Sequence, residues 1–101
     1  MINIEYSTRE PPSLTVKGHS GYSTIGTDIV CAGVSALFNN LVNSLSEFTD
    51  DLVSVRCSPG DGAIIWRGDV STTARLLLNS HMLGMKDIAE EYPEYVTYKV
   101  V

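Results

Sequence analysis

The sequence is poor in cysteine and in positive charge, and each shortage excludes something. Only Cys31 and Cys57 occur among 101 residues, and neither stands in a CxxC or other metal-ligand spacing, so no zinc motif is present. The two could pair, but thiols stay reduced in the cytosol, and both read as free thiols. Seven Lys and Arg stand against twelve Asp and Glu, a net charge of −5. The basic residues Arg9, Lys17, Arg56, Arg67, Arg75, Lys86 and Lys99 are scattered, which argues against direct binding of a nucleic-acid backbone. The opening Met1-Ile2-Asn3-Ile4-Glu5 lacks the basic start and apolar run of a secretory leader. The longest apolar stretch, within Ile29–Leu41, is broken by Ser35, Asn39 and Asn40, short of the roughly 20 residues of a membrane span. A cytoplasmic location without membrane association is therefore expected.

What is present fits one packed domain over residues 1–101. Hydrophobic residues make up 44% and charged residues 19%, close to a soluble average, and a chain of this length buries about two-thirds of its unfolded surface. Ile2, Ile4 and Tyr6 alternate with polar residues, and after Arg9-Glu10-Pro11-Pro12 the pair Leu14 and Val16 alternates again, predicting a hairpin. Gly18 to Thr27 has no periodicity and predicts a loop, long for a connector. From the cap candidate Asp28, the residues Val30, Val34, Leu37, Phe38, Leu41, Leu45 and Phe48 recur at helical steps. The other face of that helix carries Ser35, Asn39, Asn40, Asn43, Ser44 and Ser46, almost uncharged, and is a candidate subunit contact.

A second hairpin follows, with Val53, Val55 and Cys57 before the turn Ser58-Pro59-Gly60-Asp61-Gly62 and Ala63-Ile64-Ile65-Trp66 after it. Helical spacing returns from Ser71 until Tyr92-Pro93, and a strand from Tyr95 to Val100 closes the chain. The order strand-strand-helix-strand-strand-helix-strand predicts an α/β protein of the α+β type, a mainly antiparallel sheet packed against two helices.

Chemistry concentrates in one segment. His19 ends a strand, a glycine-bearing loop follows, and Cys31 sits in the first turn of the next helix. A helix N-terminus favours an anion, so a thiol there ionises more readily, and the N–H groups of that turn offer an oxyanion hole. If the loop folds back, His19 takes the thiol proton and later delivers it to a leaving amine. On spacing alone a buried, inert Cys31 is as good a reading, and His19 could equally be a strand-end residue bonded to backbone. Asp28 has competing roles, as helix cap or as orienting partner of His19. Cys57 reads as a structural strand residue, His81 as a core or interface histidine, and Trp66 as core or subunit contact. His19, Asp28 and Cys31 lack a second ligand pair for a metal.

The run Gly18-His19-Ser20, a glycine-containing loop, then Gly26-Thr27-Asp28-Ile29-Val30-Cys31-Ala32-Gly33-Val34-Ser35 resembles the signature of the Prp family of ribosomal-processing cysteine proteases. The resemblance implies that His19 and Cys31 form a catalytic dyad, supported by Asp28 and Ser35. It implies a mobile lid over Ser20–Thr27 with Gly21 and Gly26 as hinges, and makes Tyr22 and Ile25 candidate substrate contacts. It also implies a homodimer that needs no cofactor and no metal. The substrate would be the precursor of a large-subunit ribosomal protein, from which an N-terminal extension is removed, or a virion protein in phage-encoded relatives. The rival from another class is a non-enzymatic ribosome-associated binding module. Ser20 departs from the family pattern, where alanine is frequent.

Overall fold

A computed structural model describes residues 1–24 and 26–101. Strands β1 (Ile2–Ser7) and β2 (Ser13–Lys17) precede helix α1 (Ile29–Phe48); β3 (Val53–Ser58) and β4 (Asp61–Trp66) precede α2 (Thr72–Glu91), and β5 (Val96–Val100) follows. The fold is α+β, with the element order read from the sequence. The sheet runs β3-β4-β2-β1-β5. Its pairs are antiparallel except the last, where β5 lies parallel to β1.

Strand alternation sets the buried face. Ile4 faces Val16 and Tyr6 faces Leu14, Leu14 faces Ile64, Trp66 faces Val53, and Ile2 faces Val96. These residues share one side because the pleat repeats every two residues. With the buried residues of both helices they form a single core. Asn3, Glu5, Thr15 and Lys17 lie on the other side, where Lys99 pairs with Glu5 at 3.7 Å. β4 has neighbours on both edges, which explains the apolar run Ala63-Ile64-Ile65-Trp66, whereas edge strand β3 is largely exposed.

Helix α1 buries Val30, Val34, Phe38, Leu41 and Leu45, steps of three and four that keep one stripe on the sheet. By length and composition α1 could cross a membrane, yet this stripe belongs to the core and the opposite side carries Asn39, Asn40 and Asn43, exposed. It is a core helix. Helix α2 starts on the Ser71 hydroxyl, which accepts from Ala74 N–H at 3.1 Å. Trp66, fully buried, donates Nε1–H to Asp51 at 3.1 Å, and the same carboxylate oxygen accepts from Ser71 N–H at 3.0 Å. Burial opposes the Asp51 charge, but these hydrogen bonds outweigh it and hold the carboxyl below its usual range.

His81 is buried on α2 and its Nδ1 bonds the Leu37 carbonyl at 3.0 Å, tying the two helices together. A carbonyl only accepts, so Nδ1 carries the proton. Among the described residues Nε2 has no partner. Burial lowers the His81 pKa from 6.5 to about 4 despite that carbonyl, so the ring is neutral at pH 7.

Candidate active site

Two chain segments bring the site together at one end of the sheet. Gly18, just past β2, donates its N–H to the Gly60 carbonyl at 2.9 Å, so the end of β2 is tied to the β3–β4 turn. Gly60 has φ +70, and a Cβ there would stand 2.6 Å from His19 Nε2. Only glycine gives the turn this backbone and the imidazole this space. Opposite, Cys31 opens a row along α1 with Ser35 and Asn39, four residues apart and on one helical face. Between these walls runs a groove of about 370 Å³, with Val16, Val34 and Phe38 among its lining. His19, Cys31 and Ser35 therefore meet in one cleft.

Asp28 caps α1: Oδ1 accepts from Val30 N–H at 3.0 Å and Cys31 N–H at 2.9 Å. Its Oδ2 accepts from the Ser20 hydroxyl and from Ser23 N–H at 3.3 Å. Burial opposes ionisation of Asp28, but these hydrogen bonds prevail and lower its pKa to about 2. Among the described residues it makes no hydrogen bond to His19.

The cap corrects one expectation. The N–H groups of Val30 and Cys31 are engaged by Asp28, and that of Ala32 by the Asp28 carbonyl at 3.0 Å, so they do not form an open oxyanion hole. The donor beside the sulfur comes from the loop instead. Ser20 N–H reaches Cys31 Sγ at 3.3 Å, and Sγ lies 3.6 Å from Ser20 Oγ. Among the described residues no hydrogen bond links His19 directly to Cys31.

Gly21 and Gly26 have φ +73 and +95. Between them the ring of Tyr22 meets Tyr92 and Tyr95 edge-on, with centroids 5.6 and 5.3 Å apart. Tyr22 thus packs on the connection between α2 and β5 and does not line the groove. Ile25 lies outside the described residues.

Cys57 is exposed, lines the groove and lies 3.7 Å from Asn39 Oδ1. The alternation Val53, Val55, Cys57 holds, but β3 is an edge strand and its last residues have no covering layer. The sequence reading did not place Ser20, Asn39 or Gly60 at the site: it gave Ser20 to the lid, Asn39 to a candidate subunit contact and Gly60 to a turn. The signals available were a hydroxyl beside His19, an amide two turns beyond Cys31, and a glycine in a turn.

A profile of the family described as cysteine protease Prp matches residues 1–97. The chain belongs to the Prp family. It is a cysteine protease, as that family is. The ribosomal processing cysteine protease Prp of Staphylococcus aureus is 28% identical over 102 residues, covering 95% of each chain. A crystal structure of the essential S. aureus Prp, with a covalently linked product peptide, superposes with a TM-score of 0.90 at 25% identity over both whole chains. A Streptococcus mutans protein of known structure is 33% identical, with a TM-score of 0.79, over 100% of this chain and 94% of that one.

Proposed function

We propose that this chain is a ribosomal-processing endopeptidase that removes the N-terminal extension of a large-subunit ribosomal protein precursor, with Cys31 as nucleophile and His19 as acid and base. The observation that carries this reading is the groove in which the two meet, at the N-terminus of α1. Its support from relatives is the S. aureus Prp chain, named for ribosomal processing and captured with a product peptide.

In this mechanism an extended substrate lies in the groove along the row from Cys31 to Asn39. His19 swings from the Gly60 turn to Sγ and accepts its proton, a contact that tightens when substrate is bound. The sulfur adds to the scissile carbonyl carbon, and Ser20 N–H is the donor at hand for the developing oxyanion. The C–N bond breaks as His19 protonates the leaving amine, and water then hydrolyses the thioester with His19 as base. Ser35, one turn from Cys31, supports the cleft wall, and the Ser20–Thr27 segment acts as the lid, turning at Gly21 and Gly26. No cofactor or metal enters any step. A net charge of −5 suits a basic ribosomal substrate.

The enzyme works as a cytoplasmic homodimer in this reading. α1 offers the exposed, uncharged Asn40, Asn43 and Ser46, and exposed Phe48 and Leu52 extend its C-terminal end. Sedimentation equilibrium distinguishes dimer from monomer.

The test is incubation with a precursor ribosomal protein carrying its N-terminal extension, read by intact mass. Discrete trimming by the parent and none by Cys31→Ala establishes the reading; no trimming by the parent favours a virion-protein substrate.

A further inference from the structure

Ser20 is 3% exposed, and the bonding capacity of its hydroxyl is committed. Its one proton goes to Asp28 Oδ2. One lone pair accepts from Tyr22 N–H at 3.1 Å, and the other faces Cys31 Sγ at 3.6 Å. A hydroxyl has one donor and two acceptor sites, so this oxygen can only accept from sulfur. It can hold an S–H; a thiolate in the same place would meet a lone pair.

Resting on the reading of Cys31 as nucleophile, we propose that Ser20 is a positioning residue whose hydroxyl holds Cys31 as the protonated thiol in the resting site, while its backbone N–H is the donor left for the thiolate. The two groups of one residue thus serve opposite states of the sulfur. Asp28 is what polarises the choice. Because its carboxylate only accepts, it fixes the Ser20 proton away from the sulfur.

The latch is continuous with the loop. Ser20 Oγ binds Tyr22 N–H, and the Tyr22 ring rests on Tyr92 and Tyr95. Displacing the segment after Gly21 would remove two of the bonds that orient this hydroxyl, the one from Tyr22 and the neighbouring one from Ser23 to Asp28.

The ionisable groups around the thiol are Asp28 before α1, His19 after β2, and Cys57 and Asp61 of the β3–β4 hairpin, Asp61 being paired with Arg56 at 2.7 Å. The Met1 amino group lies 3.5 Å from the Ser20 carbonyl. Ser20→Ala removes none of these groups; Asp28 loses the bond from the Ser20 hydroxyl and keeps those from Val30, Cys31 and Ser23.

The experiment follows iodoacetamide alkylation of Cys31 against pH, in parent, Ser20→Ala and Ser20→Thr, with the Cys31 peptide separated from the Cys57 peptide by mass spectrometry. Loss of a weak hydrogen bond to the thiol predicts that Ser20→Ala reacts about two- to fivefold faster at neutral pH, its profile displaced to lower pH. Ser20→Thr, which keeps the hydroxyl, should follow the parent. A Ser20→Ala profile that superposes on the parent's or moves to higher pH overturns the proposal. Failure of the nucleophile assignment is separate: it would appear as precursor cleavage by Cys31→Ala, whatever the alkylation profiles show.

Discussion

His19 has room for its imidazole because residue 60 is glycine: a Cβ on Gly60 would stand 2.6 Å from Nε2. The contact crosses from the end of β2 to the β3–β4 turn, and it decides where the proposed base rests. Gly60→Ala should lower kcat/KM for precursor cleavage at least tenfold by displacing the ring. It should also cost about 1–2 kcal/mol of stability, since alanine resists a positive φ. Steady-state kinetics and urea denaturation measure the two effects. Unchanged kinetics would show that the His19 resting position does not matter.

The two thiols share a groove, and the proposed mechanism gives a role to Cys31 alone. Cys31→Ser should abolish cleavage with an unchanged melting temperature, and His19→Ala should remove most of it. Cys57→Ala should retain activity, because Cys57 is an exposed groove residue away from the N-terminus of α1. Circular dichroism beside an intact-mass cleavage assay separates lost chemistry from lost fold.

Asp28→Ala removes the α1 cap and should destabilise the protein by about 1 kcal/mol, the usual effect of losing such a residue. Its acid behaviour follows from a pKa lowered to about 2. The folded carboxyl resists protonation more than the unfolded one, whose pKa is about 3.9. Its contribution is therefore present above pH 4 and is lost as pH falls toward 2. Acid denaturation of parent and variant should differ in that window.

His81 acts at higher pH. Its pKa is lowered from 6.5 to about 4, so the unfolded chain binds the extra proton first. Stability should be fully present above pH 6.5 and fall by about 3 kcal/mol on the way to pH 4. His81→Leu should flatten this slope; at pH 7 it loses the Nδ1 bond to Leu37 but also deletes Nε2, which has no partner among the described residues, so it should cost about 1 kcal/mol there. Urea midpoints across pH 4–7 measure both; an equal slope in the variant would mean that another group controls it.

Much of the architecture was legible because it is local. Alternation in Ile2-Asn3-Ile4 and in Leu14-Thr15-Val16 marks strands, and the three- and four-residue steps from Val30 to Leu45 mark α1, since burial on one face forces those periods. The turn at Pro59-Gly60 and the stop at Tyr92-Pro93 are equally local, set by the backbone limits of glycine and proline. The sequence by itself also singled out the segment proposed to carry the chemistry, through residue types spaced from Gly18 to Ser35.

Other features depended on contacts between distant residues, to which local periodicity is blind. The parallel pairing of β5 with β1 joins residues more than ninety positions apart, and alternation looks the same in either direction. The exposure of Cys57 follows from β3 being an edge. At the site, the engagement of Asp28 by the N–H groups of Val30 and Cys31, and of Cys31 Sγ by the N–H of Ser20, turned a helix N-terminus that looked open to an anion into one already filled. Hydrogen-bond capacity is finite, and only the tertiary structure decided which partner received it.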